Sequence, residues 1–207
     1  MNILLVLAVL LAPAFASDFA AVEAARPGLR SASAALRANA GQWVNTLRRN
    51  GVGLINGGMN NSPLELFFDR RAWTIHGGAN HSAVRLQIDH ENGTIKGGAN
   101  GSPVDLHFYW STERIITRGG ANLSQVDLLL DWGAKTLTGT ANNSSVRVVF
   151  DLEAGTVKGH ANNAPVDLKH DAVSGRVTGS LNARPVDFTL TNLDLTDLLP
   201  HFFLFLK

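Results

Sequence analysis

The chain has 207 residues, which is enough for one domain with a sizeable core or for one array of repeats. Its formal net charge of +1 gives no strong field that would favour nucleic acid as a partner. The sequence contains no cysteine, which excludes disulfides, thiolate metal sites and thiol nucleophiles.

The chain begins with an apolar run over residues 3–11, and the sequence Ala-Phe-Ala stands directly before Ser17. A small residue, any residue and a second small residue form the pattern of a signal-peptide cleavage site, although no basic residue precedes the run. We predict a signal peptide over residues 1–16 and an exported chain in the periplasm, at the outer membrane or outside the cell. A short buried helix is the alternative interpretation.

Residues 17–50 have a helical period and end at an Asn-Gly pair that is typical of a helix stop. The pattern predicts an amphipathic helix that covers part of an apolar sheet face. The apolar stripe of this helix contains Leu36, Trp43, Val44 and Leu47.

Residues 51–192 repeat one unit seven times. The unit is 20 residues long, apart from one copy of 22, and a fixed period in this range indicates a repeat architecture. Each copy carries one asparagine at the same place: Asn60, Asn80, Asn100, Asn122, Asn142, Asn162 and Asn182.

Each repeat contains two stretches in which apolar and polar residues alternate, such as Ile95 to Ala99 before Asn100 and Val104 to Phe108 after it. This alternation is typical of half-buried antiparallel strands, and the Asn-Xaa and Gly-Thr joints favour hairpins. We predict an all-β meander of about fourteen strands that forms a curved sheet or a barrel. The alternative is a parallel β-solenoid with one coil per repeat.

One glycine recurs in the middle of the first strand of most copies, as at Gly97. We interpret it as a requirement of the backbone, where a large neighbour such as Leu106 approaches closely. The extra two residues of the longer copy fall near residues 111–115, after the aromatic pair Tyr109 and Trp110. We expect a longer or bulged hairpin there.

Charged residues recur on the polar side of the strands. We expect opposite charges on neighbouring strands to pair, with a small gain in stability. One column contains Glu65, Arg85, Asp105, Asp127, Arg147, Asp167 and Asp187, and a second contains His76, Lys96, Arg118 and Lys158.

The apolar side of the sheet is the main indication of function. Fourteen strands would close into a barrel roughly 27 Å across, which is too wide for the side chains of its wall to fill. We expect the helix, a lipid-like ligand, a protein partner or the C-terminal segment to occupy this face. The candidate binding residues are Leu86, Leu106, Phe108, Leu128, Leu130, Val148 and Phe150.

The C-terminal segment, residues 193–207, is rich in leucine and phenylalanine, and Pro200 prevents one continuous helix. An apolar segment of this kind is a liability when exposed, so we expect it to dock on the sheet, to pair with an envelope protein or a second copy, or to enter lipid.

The sequence contains no catalytic signature, and its histidines are scattered over unrelated repeat positions, so we predict neither catalysis nor a metal or cofactor site. Three functional hypotheses follow. The first is a non-enzymatic envelope protein that binds a hydrophobic ligand or a protein partner on the apolar face. The second is a structural or adhesive repeat protein without a ligand, and the third is a small outer-membrane barrel.

Overall fold

A computed structural model describes residues 51–206. The predicted signal peptide over residues 1–16 and the predicted helix over residues 17–50 lie outside the described residues. The same holds for the residues of the helix stripe, Leu36, Trp43, Val44 and Leu47.

Fourteen antiparallel strands form a closed barrel, in which each strand pairs with its sequence neighbours and the first pairs with the last. The predicted antiparallel repeat sheet is therefore confirmed in its barrel form, and the parallel solenoid is wrong. The strands are β1 (Val52–Met59), β2 (Ser62–Asp69), β3 (Thr74–Ala79), β4 (Ser82–Asp89), β5 (Thr94–Ala99), β6 (Ser102–Trp110), β7 (Arg114–Ala121), β8 (Ser124–Asp131), β9 (Thr136–Ala141), β10 (Ser144–Asp151), β11 (Thr156–Ala161), β12 (Ala164–His170), β13 (Arg176–Leu181) and β14 (Arg184–Thr191).

Two-residue turns join the strands at one end of the barrel, which we call the Asn end because every turn begins with the repeated asparagine. In the turn after β3, Asn80 and His81 have φ angles of 52° and 60°. Positive φ at both central residues defines a type I′ turn, whose twist matches that of the paired strands. Asparagine tolerates this conformation better than most residues, which explains its return in each copy.

Longer loops join the strands at the opposite end, which we call the loop end. The last residue of most even-numbered strands is an aspartate that caps the loop: Asp69 accepts the N–H groups of Arg71 and Ala72 at 2.8 and 2.9 Å. The N–H of Ala72, followed by that of Arg71, lowers the pKa of this carboxyl. In the longer copy Ser111 takes this role, since its Oγ accepts from the N–H of Arg114 at 3.2 Å. The strands of this hairpin, β6 and β7, have nine and eight residues, so the predicted longer hairpin is confirmed.

The recurring glycine is required by the backbone of a neighbouring strand. Gly97 has a φ of 145°, and a Cβ atom placed there would overlap the carbonyl oxygen of Arg85 on β4. The expectation that Leu106 makes the close approach is wrong. At the adjacent Gly98 a Cβ would meet nothing closer than the carbonyl oxygen of Ser102 at 3.6 Å.

The C-terminal segment fills the barrel. Of the three locations expected for it, docking on the sheet is the observed one. After β14 the chain turns inward at the loop end and forms helix α1 (Leu195–Leu198) and then a 3₁₀ helix (Leu199–Phe205). Neither helix has the length or the apolar character that crossing a membrane requires, and residues 51–206 contain no other candidate. Eight side chains of the segment are at most 2% exposed: Leu195, Leu198, Leu199, Phe202, Phe203, Leu204, Phe205 and Leu206.

Candidate functional site

The residues predicted to bind a ligand on the apolar face lie together on the inner side of the barrel wall. Six of them are at most 3% exposed, and Phe108 is half-buried. They belong to one hydrophobic core with the C-terminal segment, so the chain itself occupies the space in front of them. The six are Leu86, Leu106, Leu128, Leu130, Val148 and Phe150.

The repeated asparagines form a ring of side-chain hydrogen bonds at the Asn end. Each amide nitrogen donates to the amide oxygen of the next asparagine along the series, and the series is open only between Asn122 and Asn142. The donor–acceptor pairs are Asn142–Asn162 (2.6 Å), Asn162–Asn182 (2.9 Å), Asn182–Asn60 (3.0 Å), Asn60–Asn80 (2.5 Å), Asn80–Asn100 (2.8 Å) and Asn100–Asn122 (2.7 Å).

The asparagine ring also holds the end of the C-terminal segment. Asn122 donates to the carbonyl oxygen of Leu206 at 2.7 Å, and Asn182 donates to that of Phe205 at 2.8 Å. These bonds satisfy carbonyl groups that would otherwise be buried without partners at the end of the 3₁₀ helix. The sequence indicated a turn at each asparagine but not a shared ring, because the ring exists only when the barrel is closed.

A second set of contacts fixes the C-terminal segment at the loop end. Arg70 donates to both carboxylate oxygens of Asp197 at 3.2 Å and to the carbonyl oxygen of Asn192 at 2.9 Å. His201 lies against the edge of Phe68, and its Nδ1 is 2.9 Å from the carbonyl oxygen of Asp197. Burial lowers the pKa of His201, because desolvation disfavours the charged imidazole.

Aromatic rings gather on neighbouring hairpins at the loop end. The ring centroids of Trp73 and His90 are 4.0 Å apart, and those of His90 and Trp110 are 6.2 Å apart. Trp110 is thus half-buried in this group, whereas Tyr109 points outward and is 66% exposed.

The outward side chains of the strands, which we call the outer wall, are polar and largely paired by charge. The predicted cross-strand pairing is confirmed at three places, and Asp187 pairs instead with Arg176, which lies outside the second column. Such exposed pairs contribute little to stability. The pairs are Lys96–Asp105 (3.6 Å), Arg118–Asp127 (3.1 Å), Lys158–Asp167 (3.7 Å) and Arg176–Asp187 (2.7 Å).

Arg147 on β10 departs from this pattern, as does Arg85 on β4. The cross-strand neighbours of Arg147 are Thr138 on β9 and His160 on β11, and its side chain takes part in none of the ion pairs formed within residues 51–206. It stands at a shallow depression of about 460 Å³ on the outer wall. The depression is lined by Thr136, Thr138, Gly139, Thr140, Ser145, Val146, Arg147, Val148 and Val149.

Residues 51–206 thus define a closed β-barrel filled by its own C-terminal segment. Within them no group of three histidine, aspartate or glutamate side chains could hold a metal ion. Comparison with known proteins returned no match, either to a protein-family model, to curated proteins or to solved structures.

Proposed function

We propose that this chain is a non-enzymatic, exported structural or adhesive protein of the cell envelope or surface. In this function the apolar face stabilises the barrel, and contacts with other molecules are made from the outer wall and the loops. The observation that carries the proposal is the filled interior, in which eight side chains of the C-terminal segment are at most 2% exposed.

The same observation weighs against a lipid-like ligand on the apolar face. Such a ligand would have to displace Phe203 and its neighbours, break the bonds from Asn122 and Asn182, and release the Arg70–Asp197 contact. Self-association through the C-terminal segment would require the same displacement. Binding of an apolar ligand therefore has a large opposing free energy, since each buried Leu or Phe side chain contributes about 1.5–3 kcal/mol.

The outer wall supports contact with water rather than with lipid. Barrels that span a membrane present an apolar band outward. Here the middle of the outer wall carries ion pairs such as Arg118–Asp127, whose side chains are 69% and 55% exposed. A small outer-membrane barrel is therefore the weaker alternative.

The test is to purify the chain without detergent, extract it with organic solvent and analyse the extract by mass spectrometry. We expect a soluble protein with no extractable lipid and no uptake of a fluorescent fatty acid. Phe203→Ala is the positive control, because the substitution opens an apolar cavity in the core. Benzene should bind in this cavity and raise the unfolding temperature of the variant. Lipid recovered from the unmodified chain would overturn the proposal, and a need for detergent would favour the membrane barrel.

A further inference from the structure

Two arginines in the middle of the outer wall, Arg147 on β10 and Arg85 on β4, face no carboxylate on the adjacent strands. Most cations in the middle of the wall face a carboxylate on the adjacent strand, as Lys158 faces Asp167 at 3.7 Å. At Arg147 the corresponding position on β9 is Thr138 and that on β11 is His160. The exposed guanidinium therefore has all its hydrogen-bond donors available to a ligand or to water.

The surroundings of Arg147 are rich in hydroxyl groups. Thr136, Thr138 and Thr140 alternate along β9, and Ser145 lies beside Arg147 on β10. A hydroxyl group can both donate and accept hydrogen bonds, as the hydroxyl groups of a sugar do. The apolar side chain of Val149, 59% exposed, completes the lining beside the arginine.

The depression has a suitable size and shape for a segment of a polymer. Its volume of about 460 Å³ falls within the range of small-ligand sites, roughly 300–1,000 Å³. It is shallow and open to solvent, so a bound chain could continue past it on both sides. A planar guanidinium binds a carboxylate or a sulfate through two parallel hydrogen bonds, which a lysine cannot do.

From these features we propose that the depression at Arg147 binds an anionic polysaccharide. Arg147 pairs with the carboxylate or sulfate of one sugar unit, and Thr138, Thr140 and Ser145 bond to hydroxyl groups of the same and adjacent units. This inference rests on the proposed adhesive function and gives it a ligand class. Carboxylate and sulfate share the required chemistry, so the two are distinguished by experiment.

The chain supplies its own control at Arg85. This arginine occupies the same repeat position on β4, but its cross-strand neighbours are His76 and Gly98, and the positions that correspond to Thr138 and Thr140 hold His76 and Gly78. Arg85→Gln and Arg147→Gln therefore remove the same charge from equally exposed parts of the wall. Only Arg147→Gln removes it from a hydroxyl-lined depression.

The test is a calorimetric titration of the full chain with oligomers of galacturonic acid, with dextran sulfate and with neutral dextran. We expect saturable binding to one or both of the charged polymers, weakened at least tenfold by Arg147→Gln and severalfold by Thr138→Val, with Arg85→Gln within twofold of the unmodified chain. Binding to the galacturonic acid oligomers identifies a carboxylate ligand, and binding to dextran sulfate alone identifies a sulfate ligand.

Three results would overturn the inference: no saturable binding to either charged polymer, equal weakening by the two arginine variants, or equal binding of neutral dextran. Equal weakening would indicate attraction by overall charge, which the salt dependence of binding would also reveal. Failure of this test leaves the proposed function standing as long as no lipid is extracted. Recovery of a lipid from the unmodified chain refutes the proposed function, whatever the result of the polysaccharide titrations.

Discussion

Replacement of Gly97 by alanine tests how the wall of the barrel is built. The φ of 145° lies in a region that is nearly closed to residues with a side chain, and occupying it costs about 1–3 kcal/mol. The added methyl group also overlaps the carbonyl oxygen of Arg85, and overpacking of this kind costs typically 1–3 kcal/mol. We therefore expect Gly97→Ala to lower the free energy of unfolding by about 2–6 kcal/mol, a large part of the usual 5–15 kcal/mol.

Gly98→Ala is the matched control, because it adds the same methyl group one residue further along β5. A Cβ at Gly98 makes an ordinary contact of 3.6 Å with the carbonyl oxygen of Ser102. We expect this variant to be unchanged or more stable by about 0.4–1 kcal/mol, since alanine restricts the unfolded chain. Urea unfolding followed by circular dichroism gives both values. Equal effects of the two substitutions would refute the argument that the neighbouring carbonyl requires glycine at position 97.

Three further predictions concern the C-terminal segment and the beginning of the chain. Asn122→Gly keeps the positive φ of the turn but leaves the carbonyl group of Leu206 unpaired, and it should cost about 1–3 kcal/mol in urea unfolding. Leu123→Gly in the same turn should not destabilise, and comparable losses would contradict the role of the ring. Burial lowers the pKa of His201 in the folded chain, so on acidification the unfolded chain binds a proton at a higher pH than the folded chain does. The stability should therefore fall as the pH drops below about 6.5. His201→Gln should reduce this loss between pH 7 and 5, and an unchanged slope would show that other groups cause it. Mass spectrometry of the native protein should find its N-terminus at or near Ser17; retention of Met1 would contradict the predicted export by a cleaved signal peptide.

The strands and turns could be predicted because they depend on local sequence. Alternation of the kind seen from Val104 to Phe108 specifies a strand with one buried face, and an asparagine followed by a second residue of positive φ specifies the turn. Closure could not be predicted, since an open curved sheet and a barrel require the same alternation. The asparagine ring depends on closure and was missed for the same reason.

The contents of the barrel could not be predicted from composition either. The leucines and phenylalanines of the C-terminal segment could be buried equally well against a sheet face, a protein partner or lipid, because the hydrophobic effect is non-directional. The side chains that fix the location are polar: Arg70 contacts Asp197 at one end, and Asn122 and Asn182 hold the backbone at the other. These contacts join residues far apart in the chain, and no pattern within one repeat indicates them.

The repeats differ at positions of the outer wall, and these differences indicate where a binding site can arise. One inward position holds valine in several copies, among them Val84, Val104, Val126 and Val146. Each of these side chains is at most 2% exposed in the same core, so the position requires an apolar residue. An outward position on the preceding strand is under no such requirement, and it holds histidine, lysine, arginine or threonine in different copies: His76, Lys96, Arg118, Thr138 and Lys158. The wall can therefore change its outer surface copy by copy while the interior stays packed. Arg147 in place of the aspartate found in several other copies is another such change, and with Thr138 and His160 opposite it this arginine has no carboxylate partner on either neighbouring strand.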